Sequence, residues 1–172
     1  ILFFNSCGKN HDLARELSSE PSKYFKDGAG LEVEDQDSYE AFVKLGVPAK
    51  PLKQALLYLQ ENSEHISNQD YITPVAFTKH SGEARMYVLD LVNKEIEKLH
   101  VAHGKNTDPN HTGFAKHFSN TRNSKKSSLG IYLASERYYG KNGLSLRLDG
   151  KQESNSNARK RAIVVHGAKY VS

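Results

Sequence analysis

Residues 85–102 read Arg85-Met86-Tyr87-Val88-Leu89-Asp90-Leu91-Val92-Asn93-Lys94-Glu95-Ile96-Glu97-Lys98-Leu99-His100-Val101-Ala102. Apolar and polar side chains alternate on both sides of Asn93-Lys94. A period of two predicts β-strands over 85–91 and 95–102, and Asn93-Lys94 is a tight turn that folds one back on the other. This hairpin sets the class. Upstream, Tyr71-Ile72-Thr73-Pro74-Val75-Ala76-Phe77-Thr78 is another strand, placed at a sheet edge because Pro74 has no N–H for a ladder. Downstream, Leu129–Ala134 and Ser145–Asp149 read as strands. Ala162-Ile163-Val164-Val165-His166 is the most apolar one and is expected in the sheet centre. Between them, residues 103–127 form a long polar loop, which at that length is usually functional or mobile.

The period changes before residue 70. Ser38 is a plausible N-cap for a short helix through Leu45, with Ala41, Phe42 and Leu45 on one face and Gly46 ending it. Pro48 and Pro51 make a kinked link. A second helix over 51–62 lines Leu52, Ala55, Leu56 and Leu59 on one stripe. Residues 8–37 are polar and irregular, broken at Asp27-Gly28-Ala29-Gly30, with one or two helical turns at Leu13–Leu17. The expected fold is mainly β with a helical N-terminal segment, α+β overall. Its divisions are 1–7, a signal remnant; 8–37, a polar linker; 38–69, the helical segment; and 70–172, the β domain.

Length and composition bound the answer further. A chain of 172 residues is one domain's worth. Its hydrophobic fraction of 37% is low for a wholly packed chain, which fits long polar loops. No apolar run reaches bilayer length, so a polytopic membrane protein is excluded. A single cysteine excludes an internal disulfide and a Cys-based zinc cage. Charge is divided along the chain. Residues 1–80 carry 8 basic and 12 acidic side chains, whereas residues 81–172 carry 16 basic and 8 acidic. The second half should attract an anionic partner: nucleic acid, an anionic lipid surface or an anionic cell-wall polymer.

Ile1-Leu2-Phe3-Phe4-Asn5-Ser6-Cys7-Gly8 has the look of a signal h-region ending at a lipid-modified cysteine, which makes Cys7 the lipidation site and the membrane anchor. The alternative is a short apolar segment packed on the domain, with Cys7 a small buried hydrophobe. At the other end, His166-Gly167 closes the apolar strand. An imidazole there, where a rigid element meets a cleft, can take a proton from a thiol or hydroxyl. A structural, hydrogen-bonded His is the plainer reading. His100, His103, His111 and His117 fit no compact zinc motif, so no metal is expected. Tyr132, Tyr138, Tyr139 and Arg147 combine stacking surface with charge. That combination suits a carboxylate-bearing peptide and also nucleic acid.

Six segments in order resemble the murein L,D-transpeptidase catalytic domain family. They are Arg85–Leu91; Val101-Ala102-His103-Gly104-Lys105-Asn106; Phe118-Ser119-Asn120; Ser127-Ser128-Leu129-Gly130-Ile131-Tyr132; Tyr138–Lys141 with Ser145–Gly150; and Asn157-Ala158-Arg159 with Arg161–Ala168. The resemblance runs from about residue 70 to the end. It implies an L,D-transpeptidase-like β-sandwich or barrel and a cysteine acyltransferase acting on peptidoglycan stem peptides in the periplasmic cell envelope. No cofactor is implied. It makes His166 the general base. The expected substrate contacts are His103, on the cleft rim with Lys105, and Tyr139, Arg147 and Gly167. The family's nucleophile lies in a Gly-Cys motif roughly fifteen to twenty residues beyond that histidine. Here six residues follow His166, and Cys7 is far away in sequence. The expectation is a domain truncated before its thiol, incomplete at the C-terminus. Where the family usually carries Gly-Lys-His-Gly, this chain has Gly140-Lys141-Asn142-Gly143. The rival functions are a non-catalytic peptidoglycan-binding module and a basic nucleic-acid-binding domain; the preferred reading has stem peptides and no nucleic acid as partner.

Overall fold

The computed structural model describes residues 2–5, by their backbone, and residues 35–171. Cys7, the expected lipidation site, most of the expected 8–37 linker and the turns expected at Leu13–Leu17 lie outside the described residues. The chain is mainly β with a helical N-terminal part, as the hydropathy pattern predicts.

Helix α1 spans Gln36–Lys44. It starts at Asp35, whose side chain accepts from the Ser38 backbone N–H at 3.0 Å. Hydrogen bonding from Ser38 holds the Asp35 carboxyl below its ordinary range. Ser38 is therefore inside the first turn and buried, and Asp35 takes the N-cap role expected of Ser38. The helix ends in a Schellman motif. Gly46 turns at φ +88°, the Gly46 N–H donates to Val43 O, and the Val47 N–H donates to Phe42 O. Helix α2 spans Ala49–Glu61, with Pro51 in its first turn and Leu52, Ala55, Leu56 and Leu59 all buried.

Seven strands are described: β1 (Leu2–Asn5), β2 (Tyr71–Ala76), β3 (Met86–Asp90), β4 (Glu95–Leu99), β5 (Gly130–Gly140), β6 (Gly143–Gly150) and β7 (Val164–His166). They form one sheet in the order β4-β3-β2-β1-β5-β6-β7. The β3–β4 hairpin pairs Met86 with Leu99 and Asp90 with Glu95, as its alternation predicts.

Two strand placements differ from the sequence expectation. Strand β2 is not an edge. β1 runs parallel beside it, with Leu2 opposite Thr73 and Phe3 opposite Pro74, and continues the sheet to β5. Pro74 is tolerated because the β2–β3 ladder pairs Ile72 with Leu89 and Val75 with Met86 and skips the two residues between. Strand β7, expected in the centre, is a three-residue edge paired to β6. Its apolar residues bury one face against a loop layer rather than a second strand.

The sheet divides two cores. On one face, α1 and α2 pack Phe42, Leu52 and Leu56 on Ile72, Leu89 and Ile131. On the other, Phe118 and Ala158 from the loops cover Val75, Phe77, Tyr132 and Leu148. Adjacent residues Ile131 and Tyr132 belong to opposite cores, as strand alternation requires. The helix, sheet and loop layers together carry the site.

Candidate active site

A cleft of about 1050 Å³ opens on the loop-covered side. One wall is the chain leaving β4, through His100 and His103. A second is the loop around Arg122–Ser128. A third is β7 and the turn before it, ending at His166 and Gly167. These walls are rigid for identifiable reasons. The Arg161 guanidinium donates to Ser119 O at 2.7 Å, to Ser128 Oγ and Ser124 Oγ at 3.1 Å each, and to Lys126 O. It thereby clamps the C-terminal part of the long loop, from Ser119 to Ser128. The Tyr132 hydroxyl donates to Ser128 O at 2.9 Å beneath it, and burial pushes that hydroxyl up to about 12. Gly104 lets the second wall come close. A Cβ there would stand 2.6 Å from Lys125 O.

His166 is the last residue of β7. Its Nδ1 is 2.9 Å from Gly167 O, and a carbonyl can only accept, so Nδ1 carries the proton. Nε2 is then the lone-pair nitrogen. It stands 3.3 Å from Asn142 Nδ2, a donor on the β5–β6 turn. The local geometry thus favours the tautomer with the proton on Nδ1 and the lone pair on Nε2, where Asn142 donates. Gly167 follows in open space, with nothing within 4 Å of where a Cβ would be.

His103 is set differently. Its Nδ1 is 2.8 Å from Arg85 Nη2, an obligate donor, so the ring proton is on Nε2, which faces Asp108 at 3.8 Å. Arg85 is fully buried. It also donates to Lys79 O at 2.9 Å and twice to Val101 O, and it lies 5.0 Å over the Phe77 ring. Burial pulls the Arg85 guanidinium down to about 10. Burial and the neighbouring Arg85 charge lower the His103 pKa, against the attraction of Asp108. Burial opposes ionisation of Asp108, yet hydrogen bonds from Thr112 and Gly113 hold its carboxyl below the usual range. His103 is therefore a neutral, oriented side chain in the cleft wall.

Of the residues singled out from sequence, His103, His166 and Gly167 meet in this cleft. Arg147 and Tyr139 do not line it. Arg147 Nε pairs with Glu136 Oε1 at 3.0 Å, and its guanidinium lies 4.4 Å over the Tyr138 ring. Tyr139, on the β5–β6 hairpin, is 84% exposed. Among the described residues no three His, Cys, Asp or Glu side chains converge as metal ligands. No described helix is long and apolar enough to cross a membrane. Arg85, Asp108 and Asn142 complete the site and were not singled out as site residues. Arg85 and Asn142 stand inside quoted motifs, but burial and the His166 contact have no sequence signal.

A family model described as L,D-transpeptidase catalytic domain matches residues 44–172. The chain belongs to this family. The match takes in α2, strands β2 to β7 and every wall of the cleft. The family's themes are group transfer, peptidoglycan and the cell wall, and its members are typically cell-envelope associated. No curated protein and no solved structure matches the chain.

Proposed function

We propose that this L,D-transpeptidase domain is a murein transpeptidase, a cysteine acyltransferase that cross-links or remodels peptidoglycan stem peptides. The observation that carries the reading is His166, whose Nε2 lone pair stands at the mouth of a cationic cleft. In the reaction, a cysteine thiol gives its proton to His166 Nε2. Its sulfur forms a C–S bond with the carbonyl between the stem's diamino acid and terminal D-residue. The C–N bond breaks, and the proton held on His166 goes to the leaving amine. An amine from a neighbouring stem then releases the thioester and forms the cross-link. His103 and Gly167 contact the bound peptide. The protein works in the periplasmic cell envelope. Lipidation at Cys7 would remove strand β1, which joins β2 to β5, so the sheet favours the alternative in which the first residues pack on the domain.

Binding tests the substrate assignment. The chain should sediment with purified cell-wall sacculi, and should not retain duplex DNA at physiological salt. Retention of DNA with no binding to sacculi overturns the proposal in favour of a nucleic-acid-binding domain.

A further inference from the structure

The cleft lining is one-signed. Among the described residues it includes seven Lys or Arg side chains and no Asp or Glu. Two of the seven are occupied. Lys98 Nζ donates to Leu45 O, and Arg161 holds the long loop. The side chains of Lys105, Arg122, Lys125, Lys126 and Lys160 make no hydrogen bond or ion pair with a described residue. These residues are scattered in sequence, and the fold brings them to one concavity.

The loop that presents three of them is held in an unfavourable backbone. Asn123 and Lys125 both adopt left-handed φ, +61° and +55°. A lysine there costs roughly 1 kcal/mol relative to an ordinary conformation. The conformation is fixed from outside. Lys125 O accepts from the Asn106 backbone N–H at 3.0 Å, Ser124 O accepts from Asn106 Nδ2, and the Ser127 N–H donates to Thr107 Oγ1. The cations are therefore displayed by a rigid rim, though each lysine stem is free. Ammonium groups on free stems act as point charges and do not demand bidentate geometry. Such a rim suits an extended ligand with several separated anionic groups.

We propose that this cleft selects stem peptides by their free carboxylates, binding an acidic peptide in preference to the same peptide with its internal carboxylates converted to carboxamides. This inference rests on the peptidoglycan reading and narrows its substrate class. Opposite charge converging on a concave site raises the local concentration of the ligand and its on-rate, and salt weakens the effect.

The test is a binding titration of the chain with two synthetic stem tetrapeptides, one with all carboxylates free and one with the internal carboxylates amidated. The acidic peptide should bind roughly tenfold more tightly at about 0.05 M salt, and the difference should close near 1 M salt, where screening is within about 3 Å. The variant Lys105→Gln/Arg122→Gln/Lys126→Gln should abolish the preference and leave the melting temperature unchanged. Lys125 is better changed to Asn, which tolerates its left-handed backbone. Equal affinity for the two peptides overturns this inference and leaves the peptidoglycan reading standing. Binding of neither overturns both. Tighter binding of a single-stranded oligonucleotide than of the acidic peptide also overturns both.

Discussion

The side-chain nitrogen of Asn142, on the turn between β5 and β6, lies 3.3 Å from Nε2 of His166 at the end of β7. With Nδ1 committed to Gly167 O, the ring is gripped at both nitrogens in one tautomer. An amide can donate to Nε2, whereas a carboxylate can only accept. Asn142→Asp should therefore convert the ring to the form with a proton on Nε2, and Asn142→Ala should let that form gain population. The ring 15N shifts of His166 report this directly. Unchanged shifts in both variants would show that the contact does not set the tautomer.

Arg85 is a buried cation that holds two backbone carbonyls and a histidine, with no carboxylate within ion-pair distance among the described residues. Arg85→Met strands those acceptors in the interior. The expected cost is about 3 kcal/mol or more. Arg85→Lys should rescue little, because one ammonium cannot span the three directions of the guanidinium fork. Urea unfolding measures both variants, and a loss below about 1 kcal/mol for Arg85→Met would contradict the assignment.

The lowered pKa of His103 gives a signed pH dependence. Above the ordinary histidine value of 6.5 neither the folded nor the unfolded chain protonates this residue, and stability is unaffected. As pH falls through 6.5 the unfolded chain takes up the proton first, so stability declines until the folded-state value is passed. Thermal melts between pH 8 and 5 should show this decline in the wild type and a smaller one in His103→Gln. A second loss at lower pH belongs to Asp35, Asp90, Asp108 and Asp149, whose carboxyls are all held below their ordinary values. Glu136, bonded by Arg159, is held down to about 2.

Two glycines in the cleft should respond oppositely to alanine. A Cβ on Gly104 meets the backbone at Lys125 O, at Lys126 C and at Ser127 N, all within 2.9 Å. Gly104→Ala must displace the basic rim and should lower the melting temperature by several degrees, on the order of 1–3 kcal/mol. Gly167→Ala meets nothing within 4 Å and should leave stability unchanged while weakening peptide binding. Equal melting temperatures for the two variants would contradict the close approach at Gly104.

Much of this molecule was legible before its structure. The β3–β4 hairpin is written in the alternation of residues 86–99 around Asn93-Lys94, and the α2 stripe in Leu52, Ala55, Leu56 and Leu59. Local pattern could not give sheet order. Pro74 argued for an edge because its missing N–H is a local fact, while β1 beside it is a partner from the far end of the chain. Ala162–Val165 looked central because it is apolar, yet a loop layer can bury one face of an edge strand as well as another strand can. In the site, His166 and His103 were visible as residue types at strand ends. Arg147 reads in sequence as a carboxylate clamp beside the tyrosines, and the fold gives its guanidinium to Glu136 and Tyr138. The convergence of the basic residues of the long loop has no local sequence signal, because Arg161 and Asn106, distant in the chain, fix their backbone around one cleft.

The central claim is that His166 serves a thiol in acyl transfer from a stem peptide. Its most direct test is intact mass spectrometry of the protein expressed from its whole gene and incubated with a stem tetrapeptide. The account predicts a thioester adduct of the peptide lacking its terminal D-residue, lost in His166→Ala while the variant remains folded. An adduct that persists undiminished in His166→Ala, or no adduct in the wild type, would contradict it.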